Sequence, residues 1–279
     1  MPTLAPFDSL APGTPGVWSH GTVTVMRESG VPGAVSVTVR RVGGRLVVTH
    51  TLPADRLRES LVAEVTAGVA EVGAGQDEFE AVMVGLVRST VDDPIDAWAT
   101  YYRQSLRDLL DGTADFAPVH EVAESLVEGT VLDLGSCFGF FPLRLAARGV
   151  PVIATDLHAG TMRLLDAMRA PLGIDVETLV CDAADVPVPD DAVDTVTALH
   201  LLEHVDADLG DRIVAEALRV ARRRVVIAVP YEDEAQACHG HVRVFDADAV
   251  TALAARSGRP YEVFSHHGGW AVLDAASPG

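Results

Sequence analysis

The chain has 279 residues, 48% of them hydrophobic, which is enough apolar material for one large domain with an additional lobe or for two small domains. Its formal net charge of −19 argues against nucleic acid and anionic membranes as partners, because both are polyanions. We find no signal-like first segment, no apolar run that approaches a membrane span and no regular spacing of the three cysteines, so we expect a cytoplasmic protein in a reducing environment.

The first part of the chain predicts a small β-structure. Residues 1–16 are rich in Pro, Gly and Ala, and we expect them to form a loose arm. Over residues 22–52, hydrophobic side chains alternate with polar ones in three short runs, and glycine-bearing breaks separate the runs. This pattern predicts a three-stranded antiparallel meander whose apolar face must be covered by another element.

Helices are predicted after the meander. Apolar residues recur at helical spacing over about 54–72 and 76–91. A third helix is expected to begin at Asp93, which suits a helix N-cap, and to stop near Gly112. The meander and these helices together form a predicted lobe of residues 17–128.

From about residue 130 the pattern changes to alternating strands and helices, which predicts a parallel sheet covered on both faces. The predicted strands are residues 130–134, 152–155, 176–180, 192–199 and 225–229. Two later runs predict a terminal hairpin that adds one antiparallel strand to the sheet; they are Tyr261–Ser265 and Trp270–Leu273. The predicted fold class is therefore α/β, with a Rossmann-like seven-stranded sheet in a domain of residues 129–279, beside the small β-meander and helical cap.

A glycine-bearing turn follows the first strand of this sheet. The stretch from Val131 to Gly139 reads VLDLGSCFG and predicts a strand, a turn and a helix start that presents free N–H groups to a cofactor. Asp156 lies 21 residues after Gly135, at the end of the second strand, where a carboxylate can accept both hydroxyls of a ribose. The spacing predicts a cofactor with an adenosine group, either a dinucleotide or S-adenosylmethionine.

Several segments taken in order resemble class I S-adenosylmethionine-dependent methyltransferases of the type 11-like group. They are VLDLGSCFG, VIATD ending in Asp156, Cys181-Asp182-Ala183, AVDTVTALHLLEHV and the terminal hairpin, over about 150 residues. The resemblance implies S-adenosylmethionine as the cofactor. A nicotinamide-dependent oxidoreductase is the less suitable alternative, because it needs a third loop glycine and a sixth parallel strand and the sequence shows neither.

The same resemblance implies which residues hold the cofactor. The loop after the first strand would surround the methionine end, Asp156 would bind the ribose, and Asp182 would bind the adenine amino group. Leu199 and His200 would close the pocket at the end of the fourth strand. The complete predicted set is Asp133, Gly135, Ser136, Cys137, Gly139, Asp156, Leu157, Asp182, Ala183, Leu199 and His200.

One position departs from the family's pattern. Cys137 replaces the middle glycine of the loop, and Phe138 replaces the small residue that follows. The backbone can still adopt the turn if Cys137 takes an ordinary φ, which would make the substitution a tolerated variant, but the space near the cofactor is reduced. The alternatives are a reactive or redox role for its thiol, and a non-catalytic binding protein that keeps the fold.

Longer segments resemble mycofactocin-oligosaccharide methyltransferases. They are FEAVMVGLVRSTVDDPIDAWATYY, LDLGSCFGFFPLRLA, HLLEHVDAD, GHVRVFD and HHGGWAVLD. This resemblance implies O-methylation of a sugar hydroxyl on a glycosylated redox cofactor, with the N-terminal lobe selecting the acceptor. Another small acceptor, such as a quinone, a phenol or an amine, is the alternative, and a homodimer is left open.

Methylation of a sugar hydroxyl calls for a base, because the hydroxyl is a poor nucleophile at neutral pH. Histidine suits this role, since its ordinary pKa lies near working pH. The candidates follow the fourth and fifth strands, where open α/β sheets hold ligands; they are His200, Glu203, His204 and His241. His200 and His204 would share a helix face if a helix began there. Alternatively, Glu203 and His204 only fix the loop.

The same residues spell a helical zinc motif, His200-x-x-Glu203-His204. Its position after a sheet strand argues against a metalloprotease, and we assign no metal, although a divalent ion held together with His241 is an alternative.

Acceptor contacts are expected from aromatic residues and one arginine, because aromatic faces suit the C–H surface of a sugar. These candidates are Trp98, Tyr101, Tyr102, Tyr231 and Arg243. Core packing is the alternative for the first three, and a solvated loop is the alternative for the last two.

Overall fold

The computed structural model describes residues 8–29, 35–236 and 239–276. The chain divides into two compact units. The first comprises the chain up to Asp115, together with Ala170–Leu172 and residues 239–240, and the second comprises the remainder. Among the described residues, no helix combines the length and the hydrophobicity that crossing a bilayer requires.

The first unit contains a four-stranded sheet in the order β1-β2-β4-β3. Its strands are β1 (Val17–His20), β2 (Val23–Arg27), β3 (Val37–Val42) and β4 (Arg45–His50). Strands β1 and β2 pair antiparallel, as do β3 and β4, but β2 and β4 pair in parallel. The predicted three-stranded antiparallel meander is therefore wrong.

Burial explains the observed pairing. Strands β2 and β4 place Val23, Val25, Leu46 and Val48 at 0% exposure, whereas β3 has no fully buried residue. Two hairpins thus join through their most apolar strands, and the less apolar β1 and β3 take the edges. Alternation along each run predicts a strand, but it does not specify which strands become neighbours.

The helices of this unit are α1 (Leu61–Glu71), α2 (Gln76–Thr90) and α3 (Pro94–Leu110). The predicted helix over 54–72 is interrupted, because only a short 3₁₀ turn, Ala54–Arg56, precedes α1. Asp93 caps α3 as predicted, since its carboxylate accepts a hydrogen bond of 2.9 Å from the Asp96 amide.

The predicted N-terminal arm is only partly described. Residues 1–7 lie outside the described residues, and 8–16 have no regular element beyond one β-bridge. The Ser9 carbonyl accepts hydrogen bonds from the Arg88 guanidinium at 2.7 Å and from the Trp98 indole at 3.0 Å. These bonds tie the segment to α2 and α3.

The second unit is built on a seven-stranded sheet in the order β10-β11-β9-β8-β5-β6-β7. The strands are β5 (Val131–Leu134), β6 (Val152–Asp156), β7 (Glu177–Val180), β8 (Val193–Leu199), β9 (Ala221–Val229), β10 (Tyr261–Ser265) and β11 (Gly269–Asp274). Strands β5 to β9 are mutually parallel, and β11 pairs antiparallel with β9 and with β10. The predicted Rossmann-like sheet with an antiparallel terminal hairpin is confirmed.

The described residues of this half of the chain form the helices α4 (Ala117–Leu126), α5 (Phe140–Ala146), α6 (Ala159–Leu172), α7 (Ala207–Val220) and α8 (Ala247–Arg256). Helix α4 was not predicted, because it is short and has proline in its first turn. The core lies against the central strands, where Leu132, Val196 and Ile227 are at most 1% exposed. Since β5 to β9 are parallel, their carboxyl ends meet at one edge of the sheet, and the candidate site residues of this unit lie there or in the loops that follow.

Candidate functional site

The loop between β5 and α5 forms a tight backbone turn. Gly135 and Gly139 have φ of +66° and +74°, a region that side chains disfavour. A Cβ added at Gly135 would lie 2.7 Å from Leu201 Cδ1. Glycine at both positions therefore lets the backbone approach its neighbours closely.

Cys137 in the same loop also has a positive φ, +49°. The condition under which the turn was expected to tolerate a cysteine, an ordinary φ, is therefore not met. The turn points the Cys137 amide at Asp156, whose Oδ2 accepts its hydrogen bond at 3.0 Å. A non-glycine residue in this region costs about 1 kcal/mol, and the bond to a carboxylate offsets that cost. The thiol is exposed.

Ser136 and Thr155 fasten the loop to β6. The Ser136 amide donates to the Thr155 carbonyl at 2.8 Å, and the Thr155 amide donates to Ser136 Oγ at 3.1 Å. Thr155 Oγ1 also donates to the Asp133 carbonyl at 2.9 Å. Sequence reasoning did not single out Thr155, although a threonine beside the β6 carboxylate was a usable signal.

Asp133 lies in the interior, not on the open edge. Its carboxyl group is buried, and Oδ1 accepts a 2.6 Å hydrogen bond from Thr197 Oγ1 on the neighbouring strand β8. The pKa of Asp133 is raised to about 6, mainly by burial, with a smaller contribution in the same direction from the charge of Asp156. Hydrogen bonds from Thr197 and Ser136 act in the opposite direction. Asp133 therefore supports the loop from below. Thr197 was also missed from the sequence.

Asp156 ends β6 beside the glycine loop. Its Oδ1 accepts a 2.8 Å hydrogen bond from the His158 amide, and its Oδ2 accepts the bond from Cys137. A carboxylate offers about four acceptor positions, so both oxygens can accept further bonds from hydroxyl groups. Leu157 follows with 65% of its surface exposed, which leaves an apolar face next to that carboxylate.

The end of β7 completes this edge. The Cys181 amide donates to the Asp156 carbonyl at 3.1 Å, and the exposed Asp182 carboxylate accepts from the Ala184 amide at 2.9 Å. Burial raises the pKa of the Cys181 thiol, and the charges of Asp182 and Asp156 act in the same direction. The charge of Asp156 thus acts on groups of both neighbouring strands. Asp156 and Asp182 share one edge of the sheet, whereas Asp133 is buried beneath it.

His200 follows Leu199 at the end of β8 with φ of +52°. Its amide donates to the Ala228 carbonyl at 2.9 Å, and its ring meets Phe116 edge-on with centroids 4.6 Å apart. Helix α7 begins only at Ala207, so His200 and His204 do not share a helix face. The residues between form a 3₁₀ turn, Leu202–His204.

His204 lies beside His241 instead. Their ring centroids are 4.9 Å apart with edge-to-face geometry. The His241 Nδ1 lies 2.7 Å from Glu232 Oε2 in the loop after β9. The Val242 amide donates to the Glu203 carbonyl at 2.8 Å, so the loops after β8 and β9 are held together. All four predicted catalytic residues therefore come together, since His200 Nδ1 also lies 3.3 Å from Glu203 Oε1.

Two predicted acceptor residues lie near this loop. The Tyr231 hydroxyl is 3.0 Å from Ser265 Oγ, and 38% of the residue is exposed. The Arg243 guanidinium stacks on Phe245, with 4.2 Å between its Cζ and the ring centroid. Burial lowers the pKa of Arg243, and the charge of Glu203 opposes that shift.

The other predicted acceptor residues lie in α3 of the first unit. Trp98, Tyr101 and Tyr102 are 1%, 2% and 0% exposed. Their rings contact one another edge-on, with the Trp98 and Tyr101 centroids 5.8 Å apart. Core packing, the alternative considered for these residues, accounts for this burial, and a buried ring offers no face to a sugar.

Two open surface depressions, of about 570 and 490 Å³, lie at the opposite edge of the sheet, near the amino ends of its strands. Val152 and Glu177 line the first, and Arg223 and Glu262 line the second. Neither depression is lined by the glycine loop or by Glu203, His204 or His241, so neither is assigned to the cofactor.

Comparisons with known proteins agree with this placement. Residues 132–229, about a third of the chain, match a family model described as a methyltransferase domain. The match begins in β5 and ends with β9, so it contains the glycine loop, Asp156, Asp182 and Glu203. A search of curated proteins finds no match.

The chain is also similar to solved structures. A SAM-dependent methyltransferase from Aquifex aeolicus is 18% identical, with a TM-score of 0.47, over 61% of this chain and 97% of that one. Magnesium protoporphyrin IX methyltransferase (ChlM) from Synechocystis PCC 6803, with bound SAH, is 16% identical, with a TM-score of 0.44, over 61% and 84%. A chain in the complex between the Haloferax volcanii Trm112 methyltransferase activator and the putative methyltransferase is 19% identical, with a TM-score of 0.47, over 66% and 97%.

Proposed function

We propose that this protein is an S-adenosylmethionine-dependent methyltransferase. The observation that carries the proposal is the Asp156 carboxylate at the end of β6, held by the Cys137 amide of the glycine loop. It lies within the segment that matches a methyltransferase domain. The antiparallel strand β11 supports this function over a nicotinamide-dependent oxidoreductase, which would continue with a sixth parallel strand.

The residues at this edge fit an adenosyl cofactor. Asp156 keeps acceptor capacity on both oxygens for the two ribose hydroxyls. Leu157 presents an exposed apolar face beside it, and Asp182 at the end of β7 has an exposed carboxylate for the adenine amino group. Positive φ at Gly135 and Gly139 forms the turn of the loop that would hold the methionine end.

S-Adenosylmethionine supplies an electrophilic methyl group on a sulfonium. The protein must align the acceptor with that methyl group, and alignment alone can supply several kcal/mol of the rate enhancement. The acceptor oxygen gains the methyl group and loses its proton, and the sulfonium becomes a neutral thioether. Glu203, His204 and His241 lie after β8 and β9, and we assign the activation of the acceptor to them. In the simplest mechanism, which we call the direct-base form, His241 or His204 itself takes the proton of the acceptor hydroxyl. Glu232 orients His241 through its contact with Nδ1.

The proposed acceptor is a hydroxyl of a small glycosidic molecule, as the resemblance to mycofactocin-oligosaccharide methyltransferases implies. Tyr231 and Arg243 are the acceptor-binding residues that we retain from the sequence. Incubation with labelled S-adenosylmethionine and a cell extract, followed by mass analysis of the labelled product, identifies the acceptor. A labelled quinone, phenol or amine would contradict the glycosidic assignment and leave the methyltransferase assignment intact.

Isothermal titration calorimetry with S-adenosylmethionine and S-adenosylhomocysteine tests the cofactor. We expect wild type to bind both, and Asp156→Ala to bind about 10- to 100-fold more weakly, because hydrogen bonds to a charged group are lost. Asp248→Ala, which removes an exposed carboxylate from the first turn of α8, is the matched control and should bind like wild type.

Circular dichroism of both variants excludes unfolding as the cause of any difference. Absence of binding by wild type, or equal binding by wild type and Asp156→Ala, would contradict the proposal. Titration of NADH by fluorescence tests the oxidoreductase alternative and should show no binding.

A further inference from the structure

Glu203, His204 and His241 form a compact group of potential metal ligands. One ligand atom from each residue lies within 4.8 Å of the corresponding atoms of the other two. Glu203 and His204 belong to the 3₁₀ turn after β8, and His241 belongs to the loop after β9. The hydrogen bond from the Val242 amide to the Glu203 carbonyl fixes the two loops against each other. We call these three residues the His–Glu cluster.

The Glu203 side chain is the unusual member of the cluster. Only 1% of it is exposed, and neither carboxylate oxygen accepts a hydrogen bond within the part of the chain that the structure describes. His200 Nδ1 lies 3.3 Å from Oε1, which is ion-pair distance without the alignment of a hydrogen bond. Arg243 interacts with Glu203 electrostatically but donates no hydrogen bond to it. A buried carboxylate in this state is costly unless a cation binds it.

His241 has the partner that metal-binding histidines usually have. Its Nδ1 lies 2.7 Å from Glu232 Oε2, and both side chains are largely buried, at 10% and 17% exposure. A carboxylate on one ring nitrogen orients the imidazole and strengthens the other nitrogen as a ligand. His204 is exposed, and its imidazole ring lies beside that of His241, with 4.9 Å between the two ring centroids.

We propose that the His–Glu cluster binds one divalent transition-metal ion, with Glu203, His204 and His241 as ligands and Glu232 as the residue that positions His241. Two imidazoles and one carboxylate suit Zn²⁺, Fe²⁺, Mn²⁺ or Co²⁺. They do not suit Mg²⁺ or Ca²⁺, which prefer oxygen ligands. Three protein ligands leave a coordination position for water or for an oxygen of the acceptor.

Binding of the ion does not depend on the proposed function, whereas its use does. Under the methyltransferase function, an acceptor hydroxyl bound at the open position would lose its proton more readily, as metal-bound water does. An imidazole nitrogen that binds the ion cannot also take the proton. A chelator that removes the ion should therefore lower turnover if the acceptor is activated by the metal, but not if a histidine takes the proton directly.

The test uses the full chain without a histidine tag, stripped with EDTA and dialysed. Isothermal titration with Zn²⁺ should show one tight equivalent, and Co²⁺ should give the visible absorption of a site with nitrogen and oxygen ligands. His204→Ala, His241→Ala and Glu203→Gln should each weaken Zn²⁺ binding by at least about tenfold, and Glu232→Gln should weaken it to a smaller extent. His204 is exposed, so His204→Ala tests the proposal even if Glu203→Gln fails to fold.

The control is the double variant His266→Ala/His267→Ala. These two exposed histidines are adjacent in the hairpin turn, with ring centroids 4.7 Å apart, and could collect an ion at the surface. We expect the control to keep the tight equivalent. No tight equivalent in wild type, loss of it only in the control, or its survival in both His204→Ala and His241→Ala would overturn the proposal.

S-Adenosylmethionine titration of the metal-free chain separates the two proposals. If the cofactor binds and Zn²⁺ does not, the methyltransferase assignment stands and the metal site is wrong. If Zn²⁺ binds and the cofactor does not, the metal site stands and the methyltransferase assignment is wrong.

Discussion

At the scale of the residue, Asp133 shows how burial changes the chemistry of a carboxyl group. Its folded-state pKa is raised from 3.8 to about 6, mainly by burial. The folded chain therefore holds this proton more tightly than the unfolded chain does. The stabilisation from that proton is complete below the ordinary pKa and is lost as pH rises through the folded-state pKa.

We therefore expect Asp133→Asn to gain stability relative to wild type as pH rises. Between about pH 4.5 and 7.5 the difference in free energy of unfolding should shift by about 1–3 kcal/mol in favour of the variant. Asparagine can still accept the hydrogen bond from Thr197 through its amide oxygen. Urea denaturation of both proteins across this pH range measures the shift.

Asp194→Asn is the control for that experiment. Hydrogen bonds from the Thr130 amide and hydroxyl, with Arg222 nearby, lower the pKa of Asp194. A lowered pKa contributes stability that is lost only as pH falls through the folded-state value, below the range tested. The Asp194→Asn difference should therefore stay nearly constant with pH. A flat Asp133→Asn difference would show that this carboxyl group is not perturbed by burial.

At the scale of the element, the contact of α2 with β1 and β2 depends on Gly85. A Cβ added there would lie 2.8 Å from Val25 Cβ and 2.9 Å from Trp18 Cε3, and both side chains are buried. Gly85→Ala should therefore lower the free energy of unfolding by about 1–3 kcal/mol through overpacking, despite alanine's higher helix propensity.

Gly68→Ala in α1 is the matched control. It brings the same gain in helix propensity, but the added Cβ meets only Val39, whose Cγ2 is 3.1 Å away. A half-buried valine can give way by the few tenths of an ångström required. Gly68→Ala should be neutral or slightly stabilising in the same urea experiment, and equal effects of the two substitutions would contradict the packing argument.

The elements of the second unit were predictable because their sequence patterns are decisive. Buried parallel strands appear as continuous apolar runs, and the predicted strand 152–155 differs by one residue from β6. The first unit was less predictable, since alternation does not specify that β2 pairs in parallel with β4. Pairing is decided by which apolar strands share the centre of the sheet, and this depends on the whole unit.

The candidate functional site was likewise predictable only in part. Residue types at strand ends placed Asp156 and Asp182 on one edge from the sequence alone. The proximity of His204 to His241 was offered from the sequence only as an alternative, because the 3₁₀ turn and the loop after β9 decide it. The positive φ of Cys137 was not predictable for a related reason: the Asp156 carboxylate that accepts the hydrogen bond from its amide is distant in sequence.

At the scale of the whole molecule, the net charge of −19 opposes compactness through self-repulsion. Exposed ion pairs offset part of this, such as Arg256 with Asp211 at 2.8 Å and Arg27 with Asp92 at 2.9 Å. Exposed pairs contribute about 0–1 kcal/mol each, and salt weakens them. Repulsion among the excess carboxylates is weakened by the same salt, and with 40 acidic against 21 basic residues we expect this second effect to prevail.

The midpoint of thermal unfolding should therefore rise as NaCl is increased from about 10 to 150 mM, over which the screening length falls from about 30 to 8 Å. A gain of about 1 kcal/mol corresponds to a rise of about 2–4 °C for a chain of roughly this size. Differential scanning calorimetry at neutral pH measures it, with sucrose of matched osmolality as the uncharged control. A fall in the midpoint with NaCl would contradict this prediction. It would mean that exposed ion pairs such as Arg256 with Asp211 add more stability than the repulsion among carboxylates removes.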